Sequence, residues 1–301
     1  MGATSSTRIT AGGRTAELVC HMGMLSGRHA PNSIEAISEC FAAGVGRIEI
    51  DVHSLAGADY IVYHDRRLDP ATTGEGSVGG ATPDGVRALR FRERPTGRPA
   101  LLSEVIELAR GCDTELQLDW KDLRLLSSER VRALIDTVAP VRGRVIVSAA
   151  QDWNLRRLHG ADPAFPLGFD PGHYVARSPD GEPAIVPGRA GAYGYQDDHP
   201  LALGRGERVV EYLGERMETF LRQAPGSREF FLEYRLVLQM LDDGFNVADW
   251  LHARGIGANV WTMDYAGAAS VAALKRLVAA GADRITTNTA PAWLAALARG
   301  A

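Results

Sequence analysis

Short apolar segments alternate with helix-patterned segments along most of this chain, and that alternation restricts the fold more than any other feature. Eight segments have the length and apolar character of buried strands, and a helix-patterned segment follows each one. Strands joined by helices run parallel, and eight such units with short right-handed crossovers predict an α/β protein with a closed (β/α)8, or TIM, barrel. The predicted strands are 17–21, 47–52, 114–121, 144–149, 165–169, 229–234, 258–264 and 284–288. An open doubly wound sheet is the alternative, but no glycine-rich phosphate fingerprint follows the first strand.

Two segments interrupt the alternation. Residues 55–99, after the second strand, are rich in Gly, Pro and Thr, which is typical of a small insertion. Residues 171–206, after the fifth strand, form a second insertion, and loops of such length are usually functional. We therefore predict a disordered lead over 1–16 and one barrel domain over 17–301.

The composition disfavours several classes of protein. The chain has 301 residues, 45% of them hydrophobic, and a formal net charge of −4, so we expect a large core and no nucleic-acid partner. The sequence has no apolar run long enough for a membrane span and no visible secretory signal, which predicts a cytoplasmic protein of bacterial type. Three scattered cysteines are too few for a disulfide framework or a cysteine zinc site. The expected partner is a small-molecule substrate, and the sequence indicates no oligomeric state.

The second predicted strand carries two carboxylates on one side. Because side chains alternate along a strand, Glu49 and Asp51 share one surface. Two like charges so close repel each other unless a cation lies between them, which favours a metal site. His64 ends the short apolar run that follows and so lies near the same strand end. A solvated strand face with a capping histidine is the alternative interpretation.

The barrel brings further polar residues to the same place, because the carboxyl ends of all its strands surround one mouth. The side chains predicted there are His21, Glu49, Asp51, His64, Asp119, Lys121 and Trp261. Each also has a structural interpretation, such as a cap for a histidine, an ion pair for Lys121 or a core position for Trp261. The other six histidines are interpreted as surface or loop residues.

These residue types together favour phosphoester cleavage. The carboxylates of Glu49, Asp51 and Asp119 are oxygen ligands of the kind that Mg²⁺ or Ca²⁺ prefers. His21 and His64 can accept one proton and donate another near neutral pH. Lys121 supplies a positive charge to an anionic substrate, and Trp261 is a further candidate for substrate binding.

Six short motifs surround these residues. They are His21-Met22-Gly23, Ala30-Pro31-Asn32-Ser33, Ile48–Val52, Val62–Gly76, Trp261–Asp264 and Ile285–Pro291. Together they resemble the motifs of the glycerophosphodiester phosphodiesterase family, and the resemblance extends over about residues 17–295. It implies a barrel that hydrolyses glycerophosphodiesters to glycerol 3-phosphate and an alcohol, through internal attack that gives a cyclic phosphate. It also implies that Glu49 and Asp51 bind the metal, that His21 and His64 form the acid–base pair, and that Asp119 is the third ligand.

Three positions depart from the family pattern. Met22 replaces an arginine that contacts phosphate in the family, Pro31 replaces a glutamate, and Asp119 replaces the usual glutamate ligand. Some motifs also resemble the sphingomyelinase D-type phospholipases, which release a cyclic phosphate. Two alternatives of other classes are a lyase with a Schiff base on Lys121 and a metal-binding module without turnover.

Overall fold

The computed structural model describes residues 7–92, 97–175 and 209–299. Its strands are β1 (Arg8–Ala11), β2 (Arg14–Cys20), β3 (Arg47–Ser54), β4 (Tyr60–Val62), β5 (Ala100–Leu101), β6 (Glu115–Trp120), β7 (Val145–Ala149), β8 (Leu167–Phe169), β9 (Ser227–Glu233), β10 (Gly257–Trp261) and β11 (Arg284–Thr287). Its helices are α1 (Ile34–Ala43), α2 (Pro83–Ala88), α3 (Leu102–Ala109), α4 (Ser128–Val138), α5 (Asp152–Ala161), α6 (Val209–Gln223), α7 (Tyr234–Asp242), α8 (Val247–His252), α9 (Ala268–Ala280) and α10 (Ala290–Ala298).

Eight of these strands form a closed parallel barrel. They pair in the order β2, β3, β6, β7, β8, β9, β10 and β11, and β11 pairs again with β2. This ring confirms the predicted (β/α)8 barrel, because an open sheet would leave two unpaired edges. At least one helix follows each barrel strand along the chain. Within the described residues, no helix has both the length and the apolar character needed to cross a membrane.

Serine residues cap the start of two helices, and a glycine ends one of them. The hydroxyl of Ser33 accepts a hydrogen bond from the Ala36 N–H at the start of α1. Gly44 ends the same helix with a φ of 63°, a left-handed conformation that glycine adopts without steric cost. Ser127 caps α4 in the same way, through the N–H of Arg130. These caps fix where α1 and α4 begin and where α1 ends before β3.

The register between β3 and β6 divides the barrel interior into three levels. The register pairs that face inward are Arg47 with Glu115, Glu49 with Gln117, and Asp51 with Asp119. Register partners in parallel strands project to the same side of the sheet, so each pair contributes to one level. The first pair lies at the amino-terminal floor of the barrel, and the last lies at the carboxyl-terminal mouth.

The floor is filled by ion pairs that cross the barrel. Arg47 Nη1 lies 2.7 Å from Glu229 Oε2, although β3 and β9 are on opposite sides of the ring. Arg47 also bonds to Glu115 at 2.7 Å, and Arg284 on β11 bonds to both glutamates. The Arg47 side chain is buried, so its charge depends on these partners rather than on water.

The prediction of a disordered lead over 1–16 is wrong for most of residues 7–16, the part of that segment which the structure describes. Strand β1 pairs antiparallel with the first residues of β2, and Gly12 and Gly13 connect them with φ values of 58° and 77°. Two successive residues with positive φ make the tight turn that suits a β-hairpin. The hairpin therefore forms because the Gly-Gly pair supplies that turn. Residues 1–6 lie outside the described part.

The insertion after the second barrel strand packs around a small core of its own. Strand β4 pairs antiparallel with β3, and β5 pairs antiparallel with β4. Buried residues of this unit include Leu55, Tyr63, Leu89 and Phe91. Of the insertion predicted over 171–206, residues 171–175 form a short turn after β8, and the remainder lies outside the described residues.

Candidate active site

Three carboxylates meet at the mouth of the barrel. Each of Glu49, Asp51 and Asp119 places an oxygen within 4.8 Å of an oxygen of the other two. Glu49 and Asp51 come from alternate positions of β3 and are buried, whereas Asp119 on β6 is partly exposed to the cavity. The structure therefore brings together the three residues that the sequence indicated as metal ligands.

Lys121 lies against this cluster. Its ammonium is 2.5 Å from Asp119 Oδ2 and 3.1 Å from Asp51 Oδ1. Three ionised carboxylates and one ammonium leave two negative charges uncompensated, which matches a divalent cation. Asp51 Oδ1 is buried, and among the described residues no donor, including the Lys121 ammonium 3.1 Å away, is aligned for a hydrogen bond with it. A buried carboxylate oxygen without an aligned hydrogen bond is free to ligate a cation, so the residues present fit a metal ion.

The charges within the cluster perturb one another. Burial raises the pKa of Glu49 well above its usual range, and the charges of Asp51 and Asp119 raise it further. Burial is also the largest single influence on Asp51 and opposes its ionisation, but the charge of Lys121, together with His64, His21 and the hydrogen bond from Asn32, lowers the pKa of Asp51. Burial would lower the pKa of Lys121, yet Asp119 and Asp51 raise it well above its ordinary value. In the absence of a metal, Glu49 is therefore the carboxylate whose ionisation its buried, negatively charged surroundings oppose.

His21 is oriented by a hydrogen-bonded chain behind it. The residue lies in a short turn directly after β2, and its Nδ1 is 2.7 Å from Asn288 Oδ1. The Asn288 side-chain amide donates to Asp264 at 2.9 Å, and its backbone N–H donates to the same carboxylate at 2.7 Å. With the amide nitrogen committed to Asp264, the amide oxygen accepts the His21 Nδ1–H. His21 Nε2 lies 3.7 Å from Glu49 Oε2.

His64 follows β4 and is more exposed than His21. Its side chain is 57% accessible, and its Nδ1 is 2.9 Å from Asp65 Oδ1. The backbone carbonyl of His64 lies 3.1 Å from Nε2 of His53. His53 was expected on the surface or in a loop, but it is buried on β3, because that strand continues two residues beyond its predicted end at Val52.

A cavity of about 210 Å³ joins these groups. Its lining includes six of the seven predicted site residues: His21, Glu49, His64, Asp119, Lys121 and Trp261. The seventh, Asp51, contacts Lys121. The indole N–H of Trp261 has no hydrogen-bond partner among the described residues.

Sequence reasoning did not assign several residues of this site. Gln117 lines the cavity one level below Asp119, where its amide donates to the hydroxyl of Ser148 at 3.2 Å. The alternation along 114–121 places Gln117 and Asp119 on one face, so this position could have been found. Asp264 and Asn288 occur in recognised motifs, but their contact with each other and with His21 is visible only in the folded chain.

Comparisons with known proteins by sequence and by structure both find phosphodiesterases. The sequence model of the glycerophosphoryl diester phosphodiesterase family matches residues 21–180, more than half of the chain. A glycerophosphodiester phosphodiesterase from Caldanaerobacter subterraneus subsp. tengcongensis is 28% identical over 160 residues. That match covers 50% of this chain and 65% of the relative, which is less than two thirds of the relative's length.

Solved structures share the fold at low identity. A putative glycerophosphodiester phosphodiesterase from Galdieria sulphuraria has a TM-score of 0.66 at 14% identity, covering 93% of this chain and 98% of that one. A putative glycerophosphoryl diester phosphodiesterase from Agrobacterium tumefaciens has a TM-score of 0.64 at 16% identity, covering 95% and 98%. An Oleispira antarctica phosphodiesterase in complex with the product sn-glycerol-3-phosphate has a TM-score of 0.63 at 16% identity, covering 93% and 96%. These likenesses concern the fold, and the sequence match over residues 21–180 shows that the chain belongs to the glycerophosphoryl diester phosphodiesterase family.

Proposed function

We propose that this chain is a metal-dependent hydrolase that cleaves glycerophosphodiesters to glycerol 3-phosphate and an alcohol. The observation that carries the proposal is the convergence of three carboxylates, Lys121 and two histidines on one cavity at the barrel mouth. The names of the family and of the curated relative support this substrate class. So does the Oleispira antarctica phosphodiesterase, whose structure holds sn-glycerol-3-phosphate.

Glu49, Asp51 and Asp119 are the proposed ligands of one Mg²⁺ or Ca²⁺ ion. When bound, such an ion polarises a phosphoryl oxygen and helps to ionise a hydroxyl group. The chain's own contribution is to hold the carboxylates in place. Asn32 Nδ2 donates to Asp51 at 2.6 Å, and the Met22 N–H donates to Glu49 at 2.9 Å.

Lys121 and Trp261 are the proposed contacts of the phosphodiester. The raised pKa of Lys121 keeps its ammonium charged, which favours a phosphate oxygen nearby. Trp261 lines the same cavity as Lys121 and is the second proposed contact. The same charge argues against a Schiff-base lyase, because the nucleophile of that reaction is a neutral amine.

His21 and His64 are the proposed base and acid. The bond from Nδ1–H to Asn288 leaves Nε2 of neutral His21 as a proton acceptor on the cavity side. We infer that Nε2 takes the proton of the glycerol hydroxyl next to the ester as that oxygen attacks phosphorus. His64 then protonates the departing alcohol oxygen as its bond to phosphorus breaks. Water opens the resulting cyclic phosphate to glycerol 3-phosphate. A reaction that stops at the cyclic phosphate, with no glycerol 3-phosphate formed, would instead support the sphingomyelinase D-like alternative.

The test is hydrolysis of glycerophosphocholine by the purified chain, with the phosphorus products identified by NMR. We expect turnover to be lost on chelation and restored by Mg²⁺ or Ca²⁺. His21→Ala and His64→Ala should each lower kcat by about 10² or more with the fold intact. His252→Ala is the matched control, since that histidine bonds Asp283 near the barrel floor. Full turnover after exhaustive chelation would overturn the proposed metal dependence. Metal binding without any cleavage would favour the alternative of a metal-binding module without turnover.

A further inference from the structure

A second pocket, of about 240 Å³, adjoins the active-site cavity and is mostly apolar. It lies between the turn after β2 and the insertion that follows β3. Its apolar wall consists of Met22, Ala30, Pro31, Tyr63, Ala71 and Phe91. We call it the insertion pocket.

The insertion pocket is preformed. The rings of Tyr63 and Phe91 stack with their centroids 6.1 Å apart, and both residues are buried in the insertion's core. On the opposite side, the Asn32 N–H donates to the Met22 carbonyl at 2.8 Å and so ties the rim to the turn after β2. Because packing and hydrogen bonds hold both walls, little conformational entropy is lost when a group enters the pocket.

The insertion pocket communicates with the reacting centre through shared residues. His64 lines both the pocket and the catalytic cavity. Asn32, also in the pocket lining, donates to the proposed metal ligand Asp51. A group attached to the phosphate on the His64 side is therefore next to the pocket.

The residues that line the insertion pocket determine which kind of chemical group it can bind. No lysine or arginine is among its described lining residues, so the phosphate itself is better placed at Lys121. The carboxylate of Asp65 at the rim already bonds His64. The remaining surface is hydrocarbon and aromatic, which gains most by excluding water from an apolar group.

We propose that the insertion pocket binds the hydrocarbon part of the alcohol that leaves the phosphorus, so that the preferred substrates are glycerophosphodiesters of apolar alcohols. This inference rests on the proposed function, because it places the leaving alcohol beside His64, the proposed acid. The pocket volume exceeds the roughly 150 Å³ of an apolar cavity that holds a benzene ring, so a chain of several methylenes fits.

The experiment measures kcat/KM for glycerophosphate esters of methyl, butyl, hexyl and octyl alcohols. We expect kcat/KM to rise by up to about fourfold per methylene until the pocket is full. Ala71→Phe, which places a ring in the pocket, should flatten that dependence. Ala56→Phe is the matched control, because Ala56 is exposed in the same insertion outside the pocket. It should retain the wild-type dependence.

A second comparison separates an apolar pocket from a cation site. Glycerophosphocholine and its uncharged 3,3-dimethylbutyl analogue have nearly the same shape, and we expect the uncharged ester to be the better substrate. Preference for choline, or equal kcat/KM for methyl and octyl esters, would overturn the proposal.

Binding provides a readout that does not need turnover. Affinities of butyl and octyl phosphate, measured by calorimetry, should differ by tenfold or more in the wild type and by much less in Ala71→Phe. If no ester is hydrolysed but this difference persists, the proposed function fails and the pocket assignment stands. If butyl and octyl phosphate bind equally, the pocket assignment fails whatever the activity.

Discussion

Replacing Asn288 with alanine tests whether the chain behind His21 contributes to catalysis. The 2.7 Å bond from His21 Nδ1 to Asn288 Oδ1 fixes both the tautomer and the orientation of the ring. A hydrogen bond to a group that becomes charged is worth about 1.5–3 kcal/mol, and this imidazole becomes charged when it accepts a proton. The substitution should therefore lower kcat by about 10- to 150-fold.

The fold should tolerate this change. The backbone N–H of residue 288 and the hydroxyl of Thr287 still donate to Asp264 when the side-chain amide is lost. We expect a melting temperature and a KM close to those of the wild type. Nitrogen NMR of the His21 ring should show mixed tautomers in place of one protonated at Nδ1.

A second variant separates the loss of His21 orientation from a general disturbance of the site. Asp264→Ala leaves the Asn288 oxygen in place but releases the amide to rotate, so its loss in kcat should be smaller than that of Asn288→Ala. The reasoning is refuted if Asn288→Ala keeps kcat within threefold of the wild type, or if the His21 tautomer does not change.

Three further predictions concern other parts of the barrel. The pKa of Glu49 is raised in the metal-free fold. Between the ordinary pKa of the unfolded chain and this raised pKa, the folded state binds more protons than the unfolded state. The free energy of unfolding therefore falls as pH rises through that range. Glu49→Gln should then raise the metal-free melting temperature at pH 8 but not at pH 4, and an equal effect at both would contradict the pKa shift. Arg47→Met removes one of the two arginines that pair with Glu229 and should cost about 1.5–3 kcal/mol in urea unfolding, because Arg284 still pairs with both glutamates and Glu115 is partly exposed; an unchanged stability would contradict this. Met22→Arg restores the arginine that the family resemblance implies as a phosphate contact, and it should shift any escaping cyclic phosphate toward the monoester; an unchanged product ratio by phosphorus NMR would contradict this.

Much of the barrel could be predicted because its signals are local. Apolar strands and amphipathic helices are recognisable within short windows, and strand alternation alone places Glu49 and Asp51 on one side. The rule that barrel strands end at one mouth then adds Asp119 without knowledge of the register. The structure supplies what that rule cannot, namely that Asp51 and Asp119 are register partners.

Other features depended on information that is not local. The pairing of Arg47 with Glu229 joins residues 182 positions apart on opposite strands, and nothing near either residue indicates it. His53 was misplaced because the end of β3 is set by its pairing with β4 rather than by its own composition. The Gly12-Gly13 turn resembles loop composition until the two short flanking strands are seen to pair.

The ion pairs at the barrel floor also affect how ligands enter and leave the cavity. Arg47 and Arg284 span the interior with their glutamate partners, so among the described residues the lower end of the barrel is closed by bonded side chains. A ligand in the catalytic cavity then has one passage to solvent, the mouth through which it arrived. Incoming diester and outgoing glycerol phosphate would compete for that passage and for Lys121. Product should therefore inhibit competitively, and its departure, rather than bond cleavage, is a candidate for the slow step at high turnover.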